Sequence, residues 1–157
     1  MFTITHATRR VLVADDDPVM MHLVTSAIKS LDYEVVSAND GREAYRILQR
    51  DADFKAAVFD LMMPNLRGLD VIRFMRTEKR LMRIPTMMIT TETDSKLTSE
   101  ILAAGAMVFL PKPFTREQLQ TTLRMLLSTR DGAGKPPSLG QALGHPSAPP
   151  KDLNLQP

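Results

Sequence analysis

Asp15, Asp16, Asp60, Thr90, Thr91 and Lys112 each stand at or just beyond the end of a short apolar run, and together they make a set suited to phosphoryl transfer. Three carboxylates drawn into one place repel one another unless a cation compensates, and hard oxygen ligands with little else suit Mg²⁺, which keeps several of its waters. A lysine ammonium offsets the remaining negative charge. A carboxylate is itself a competent phosphoryl acceptor, and a divalent ion beside it would neutralise charge on the group in transfer. Asp17, next to the acidic pair, reads instead as a helix cap. The three histidines, His6, His22 and His145, lie in separate segments with no metal-ligand spacing and receive no role.

Whether these groups meet depends on the elements that carry them. Five apolar runs punctuate the first 110 residues or so: Val11 to Ala14, Val35 to Val36, Ala56 to Phe59, Met87 to Ile89 and Val108 to Leu110. Uninterrupted runs of this length are expected of parallel strands covered on both faces. Helical patterns separate them. Asp17 precedes Pro18, a suitable first helical residue, and Met20, Leu23, Val24, Ala27, Ile28 and Leu31 share one face. Asp40 to Gln49, Leu69 to Met75 and Asp94 to Ala104 supply three more helices, the last stopping at Gly105. The fifth opens with Thr115 and Gln118 at capping-box spacing and repeats Leu119, Leu123 and Leu126 along its buried face.

Five strand and helix alternations imply an α/β fold with a doubly wound parallel sheet, because right-handed crossovers put helices on both faces. Ligands in such sheets bind outside the carboxyl ends of the strands. The acidic residues, the threonines and Lys112 all fall at that rim. From about residue 130 the composition shifts to Gly, Pro, Ser and Ala without apolar periodicity, so residues 1–129 read as one folded domain and 130–157 as a disordered Pro/Gly-rich tail.

Bulk composition excludes several classes. The 157 residues are 43% hydrophobic and 24% charged, close to globular averages. A net charge of +2 is too small to argue for nucleic acid, and the absence of cysteine removes disulfides and Cys-based zinc sites. With no segment resembling a signal peptide or a membrane span, a cytoplasmic location is the expectation. The eleven methionines read as core filler, and Arg73, Arg76, Lys79, Arg80 and Arg83 as a solvated face.

Asp15 and Asp16 after the first strand, Asp60 to Pro64 followed by Gly68, Thr90 after the fourth strand, and Lys112, Pro113 and Phe114 together resemble the receiver domain of two-component response regulators. The resemblance covers roughly Arg10 to Thr129. It implies a flavodoxin-like sheet of five strands in the order 2-1-3-4-5 with five helices. It further implies that Asp60 is the phosphoacceptor, and that Asp16, Asp60 and the main-chain carbonyl of Met62 bind Mg²⁺ while Asp15 holds a metal-bound water. Lys112 would pair with the phosphoryl oxygens, and the Lys112–Pro113 bond would be cis. Thr90 and Phe109 would be the switch pair, the hydroxyl moving to the phosphoryl oxygens as the ring changes rotamer. The implied donor is a histidine kinase or a histidine phosphotransfer protein, and the output is binding to a downstream protein, with neither nucleic acid nor membrane as partner. The expected form is a stand-alone receiver, monomeric or weakly dimeric, acting either as a shuttle in a phosphorelay or by direct contact with a target as chemotaxis regulators do. It would be a signalling domain that assists its own phosphorylation and dephosphorylation rather than an enzyme.

Three positions depart from the family pattern. Thr91 stands where Ala, Gly or Ser is usual, implying tighter access to the phosphoryl group and an altered lifetime. Arg67 replaces a commonly acidic or small residue and is expected to point into water. Gly105, Ala106, Met107, Val108 and Phe109 replace a Gly-Ala-Asp-Asp-Tyr pattern frequent in DNA-binding regulators, which argues against their dimer. Two other functions compete: a pseudo-receiver that binds partners without phosphorylation, and an aspartyl-nucleophile phosphatase. The haloacid-dehalogenase-like phosphatases want an aspartate two residues after the nucleophile, where this chain has Met62.

Overall fold

A computed structural model describes residues 9–92 and 94–128. The elements alternate strictly: β1 (Arg10–Ala14), α1 (Pro18–Lys29), β2 (Glu34–Ala38), α2 (Gly41–Arg50), β3 (Ala56–Asp60), α3 (Gly68–Arg76), β4 (Thr86–Thr90), α4 (Ser95–Ala104), β5 (Val108–Pro111) and α5 (Arg116–Ser128). All neighbouring strands pair in parallel, in the order β2-β1-β3-β4-β5. This is the five-stranded, five-helix architecture the resemblance implies. The expected boundary at Thr129 and the expected tail over 130–157 lie outside the described residues, as do His6 and His145.

α1 packs against α5 on one face of the sheet, and α2, α3 and α4 pack in succession on the other. β3 and β4, covered on both faces, are buried at every residue. β2 differs from the expected fully buried strand: Val35 and Val36 are only half-buried and Glu34 and Ser37 are exposed, because β2 is the sheet edge and has a partner on one side only. Ile28, Leu48, Leu69, Ile72 and Met75 carry the helices' apolar stripes into the core with no exposure. Each such side chain contributes about 1.5–3 kcal/mol by leaving water. Met62 and Met82 depart from the core-filler reading, at 57% and 49% exposure.

The helix starts are held by the residues whose types mark them. Asp17 Oδ1 accepts from Val19 N at 2.9 Å, Asp40 Oδ1 from Glu43 N at 2.8 Å, and Asp94 Oδ1 from Leu97 N at 3.0 Å. At α5 the box closes in both directions, Gln118 N donating to Thr115 Oγ1 at 3.0 Å and Thr115 N to Gln118 Oε1 at 2.9 Å. α4 ends at Gly105 with φ +115°, a left-handed conformation that a side chain would strain.

The basic stretch is not a uniformly solvated face. Arg76 is half-buried and donates to the carbonyls of Met82 and Gly105 and to Thr86 Oγ1, tying the end of α3 to the start of β4 and the C-cap of α4. Burial pushes its guanidinium below the ordinary arginine range. Arg80 donates to the carbonyls of Leu48 and Gln49 at 2.8 and 3.2 Å, closing the C-terminal end of α2. Arg73, Lys79 and Arg83 are exposed as expected. Arg67 likewise does not simply point into water: its Nε lies 3.4 Å from Asp70 Oδ2, which also accepts from the Arg67 backbone N–H at 3.2 Å.

Candidate functional site

The sheet order reverses between β1 and β3, so the crevice at their carboxyl ends is where such a fold binds ligands. Ala14 pairs with Phe59, and continuing that parallel register by one residue sets Asp15 beside Asp60. Asp16 follows immediately, on the turn before Asp17 caps α1. Carboxylate oxygens of Asp15, Asp16 and Asp60 all lie within 4.8 Å of one another. Asp15 and Asp60 are buried and Asp16 is exposed, so the cluster opens to solvent through Asp16.

Lys112 reaches the cluster from the end of β5. Its Nζ donates to Asp60 Oδ1 at 3.2 Å, the link between the strand-five end and the acidic group. The Lys112–Pro113 peptide bond is cis. Burial raises the Asp60 carboxyl above the usual carboxylate range, and the Lys112 ammonium holds that rise back. Burial also pushes Asp15 up to about 6, against the lowering effect of the Asp17 N–H that donates to Asp15 Oδ1 at 2.9 Å. The carboxylate of Asp60 raises it further. Two buried acids with raised values and one cation leave a surplus of negative charge at the rim, the condition that favours a bound cation.

Thr90 ends β4 with 1% exposure, and its Oγ1 accepts from Glu92 N at 2.9 Å. The hydroxyl therefore holds the first turn of the connection to α4. Thr91 is exposed beside it. Phe109 pairs with Met88 and Pro111 with Thr90, which puts Thr90 and Phe109 on one face of the sheet, one diagonal step apart. The Phe109 ring is already buried, at 6% exposure.

Residues given no role in the sequence reading also border the site. A cleft of about 450 Å³ runs from Asp15 and Asp16 along α1 past Met21, His22 and Thr25 to Asn39. His22 and Thr25 are three apart on the side of α1 that also carries Pro18, and that spacing is the only signal in the sequence that groups them. The loop after Asp60 is latched to α2, where Asn65 Nδ2 donates to Asp40 Oδ2 at 3.2 Å. Gly41 packs so closely on this loop that a Cβ there would collide with the Leu66 carbonyl. Among the described helices, none is long and apolar enough to cross a membrane.

Comparison with known proteins agrees with the fold. The family model for the response regulator receiver domain matches residues 11–124. Over 123 residues the chain is 36% identical to the chemotaxis protein CheY1 of Helicobacter pylori, covering 78% of this chain and 99% of that protein. The solved chemotaxis response regulator CheY4 of Vibrio cholerae superposes with a TM-score of 0.71 at 33% identity, covering 76% of this chain and 99% of that one. A receiver domain of a sensor histidine kinase from Pseudomonas aeruginosa PAO1, solved with a magnesium ion coordinated in its active-site cleft, gives a TM-score of 0.69 at 29% identity over 78% of this chain and 99% of that one. The chain belongs to the response-regulator receiver domain family and is similar to the chemotaxis regulators within it, a family of signalling phosphoacceptor domains rather than classical enzymes.

Proposed function

We propose that this receiver domain takes a phosphoryl group onto Asp60 in a Mg²⁺-dependent reaction, from a histidine kinase or a histidine phosphotransfer protein, and signals by binding a protein target in that state. The observation that carries the reading is the convergence of three carboxylates within 4.8 Å, with Lys112 Nζ at 3.2 Å from Asp60 Oδ1.

The donor set fits the metal. All the candidate ligands are hard oxygens, two of the three carboxylates are buried, and the site is short of positive charge. Asp16 and Asp60 would hold Mg²⁺ directly and Asp15 through a water. The Met62 carbonyl, two residues after Asp60, accepts no hydrogen bond among the described residues and would complete the set. Bound there, Mg²⁺ would supply neutralisation of charge on the transferring phosphoryl oxygens.

The chain's own groups do the rest. An Asp60 carboxylate oxygen forms the new P–O bond as the donor's phosphorus–nitrogen bond breaks, leaving an acyl phosphate on Asp60 and returning the histidine ring to the donor. Lys112 then exchanges its bond to the Asp60 oxygen for one to a phosphoryl oxygen. Thr90 donates its hydroxyl to another, giving up its bond to Glu92 N. The added charge, close to two units, and its three acceptor oxygens are met by these two donors, and bound Mg²⁺ would neutralise the remainder.

Incubating the full chain with a small acyl-phosphate donor and Mg²⁺ tests the assignment by intact-mass measurement. One phosphoryl group is expected on the native protein and none on Asp60→Asn, nor on either in excess chelator. Stoichiometric labelling of the Asn variant would reject Asp60 as the acceptor.

A further inference from the structure

The outward face of α2 carries a row of arginines that the phosphoryl site does not use. Arg42, Arg46 and Arg50 are four apart and all exposed, so they fall on one stripe spanning about 12 Å of helix. Arg42 and Arg46 meet no carboxylate among the described residues. Among the described residues Arg50 has only the neighbouring Asp51, which is already bonded to Arg10 at 2.9 Å. Like charges at this spacing destabilise a helix. Arg42 also sits in the first turn, where the helix dipole is positive and disfavours a cation. Arg50 and Arg80 have a local reason to be basic, since both lie by the carbonyl end of α2. Arg42 and Arg46 have none within the described fold.

We propose that this stripe is a docking face for a protein partner that presents a helix with acidic residues four apart, on grounds that stand apart from the phosphoryl chemistry. Two helices packed side by side repeat their charges at the same rise, so carboxylates at that spacing would meet the three guanidinium groups in register. A second copy of the chain does not supply the complement. Among the described helices, α2, α3, α4 and α5 carry one acid each and α1 none, so no acidic row exists. Nucleic acid is the poorer fit, because Tyr45, the aromatic residue of α2, has its ring packed edge-on against Phe74 at 4.6 Å and cannot stack on a base. An anionic membrane is poorer too, since no large apolar residue is exposed on α2. The contacts of Asp40 with Asn65 and of Gly41 with Leu66 place such a partner one step from the loop that follows Asp60.

The test titrates the ¹⁵N-labelled full chain with an amidated, Ala-rich helical peptide bearing Glu at every fourth position. A control peptide has the same composition in scrambled order. Saturable amide shifts are expected along 41–50, with binding by the patterned peptide at least fivefold tighter than by the control. Arg42→Gln with Arg46→Gln should weaken it at least fivefold, with circular dichroism reporting whether the fold is kept. A peptide with Lys in place of Glu should produce no shift on α2 of the native chain, which keeps the test valid if the double variant fails to fold. Equal binding of the two Glu peptides, or no shift on α2, would overturn the proposal. So would tighter binding of a single-stranded DNA dodecamer or of phosphatidylglycerol vesicles through the same arginines.

Discussion

Lys112 Nζ lies 3.2 Å from Asp60 Oδ1, across 52 residues of sequence. Asp60 ends β3 and Lys112 follows the end of β5, strands that do not pair: β4 stands between them. The lysine has to reach over the end of β4 to arrive at the carboxylate, and in doing so it offsets the cost of burying that carboxylate.

Removing Lys112 should therefore act on Asp60 in two ways. In Lys112→Ala the Asp60 carboxyl should titrate higher than in the native protein, because burial is left without its counter-charge; carbon-detected carboxyl NMR reads this directly. Phosphorylation by a small acyl phosphate should slow by on the order of 100-fold through loss of a charge-stabilising donor. An unchanged Asp60 titration would show that the ion pair has no electrostatic weight.

Asp16 and Asp17 are adjacent but do different work, and substitution should separate them. Asp16→Ala should weaken Mg²⁺ binding and slow phosphorylation, since a hard anionic ligand is lost. Asp17→Ala should bind metal almost normally and lose about 1 kcal/mol of stability with its cap to Val19 N. Metal titration beside urea unfolding distinguishes the two, and the opposite pattern would move the acidic pair by one residue.

Asp15 makes the metal-free fold sensitive to pH. Its folded value of about 6 lies above the ordinary 3.8, so the folded state holds the proton more tightly than the unfolded chain. Stability in chelator should accordingly fall as pH rises from about 4 through about 6 and level off above, by on the order of 3 kcal/mol from this group. Asp60 moves in the same direction and adds to the slope. Asp15→Asn keeps an acceptor for the Asp17 N–H and should flatten part of the pH profile while stabilising the protein at pH 7.5. Urea unfolding at pH 4.5 and 7.5 measures it; an equal slope in the variant would reject Asp15 as its source.

Thr90 and Phe109 share a face of the sheet, so a move of the hydroxyl toward a phosphoryl group should be felt at the ring. Thr90→Ala should still be phosphorylated on Asp60, having lost neither nucleophile nor metal ligand. It should lose about 1 kcal/mol with the bond to Glu92 N. Phosphorylation should then shift the Phe109 and Glu92 resonances less than in the native chain. Shifts of equal size in both proteins would break the coupling.

Much of the fold was legible because its signals are local. Caps work over two or three residues, so Asp17 and the Thr115 and Gln118 pair mark their helices whatever the rest of the chain does, while Asp40 and Asp94, expected as first helical residues, stand one position earlier as the caps. The apolar runs of β3 and β4 likewise announce strands buried on both faces. Spacing after each strand was enough to nominate Asp15, Asp16, Asp60, Thr90 and Lys112, since carboxyl ends of parallel strands share a rim by topology.

What tertiary structure alone decided depends on register and layer order. Neighbouring Asp15 and Asp16 differ, one at 3% exposure and the other in solvent, because only Asp15 continues the line of β1 into the sheet. β2 became the edge because the chain turns back past β1, a choice of order that no run of two valines records. Arg76 and Arg80 look like their solvated neighbours in sequence, yet one closes a junction of three elements and the other the end of α2, since carbonyls left open by distant helices happen to end there. His22 faces the cleft for the same reason: a helix face has meaning only when the strand beside it has been placed.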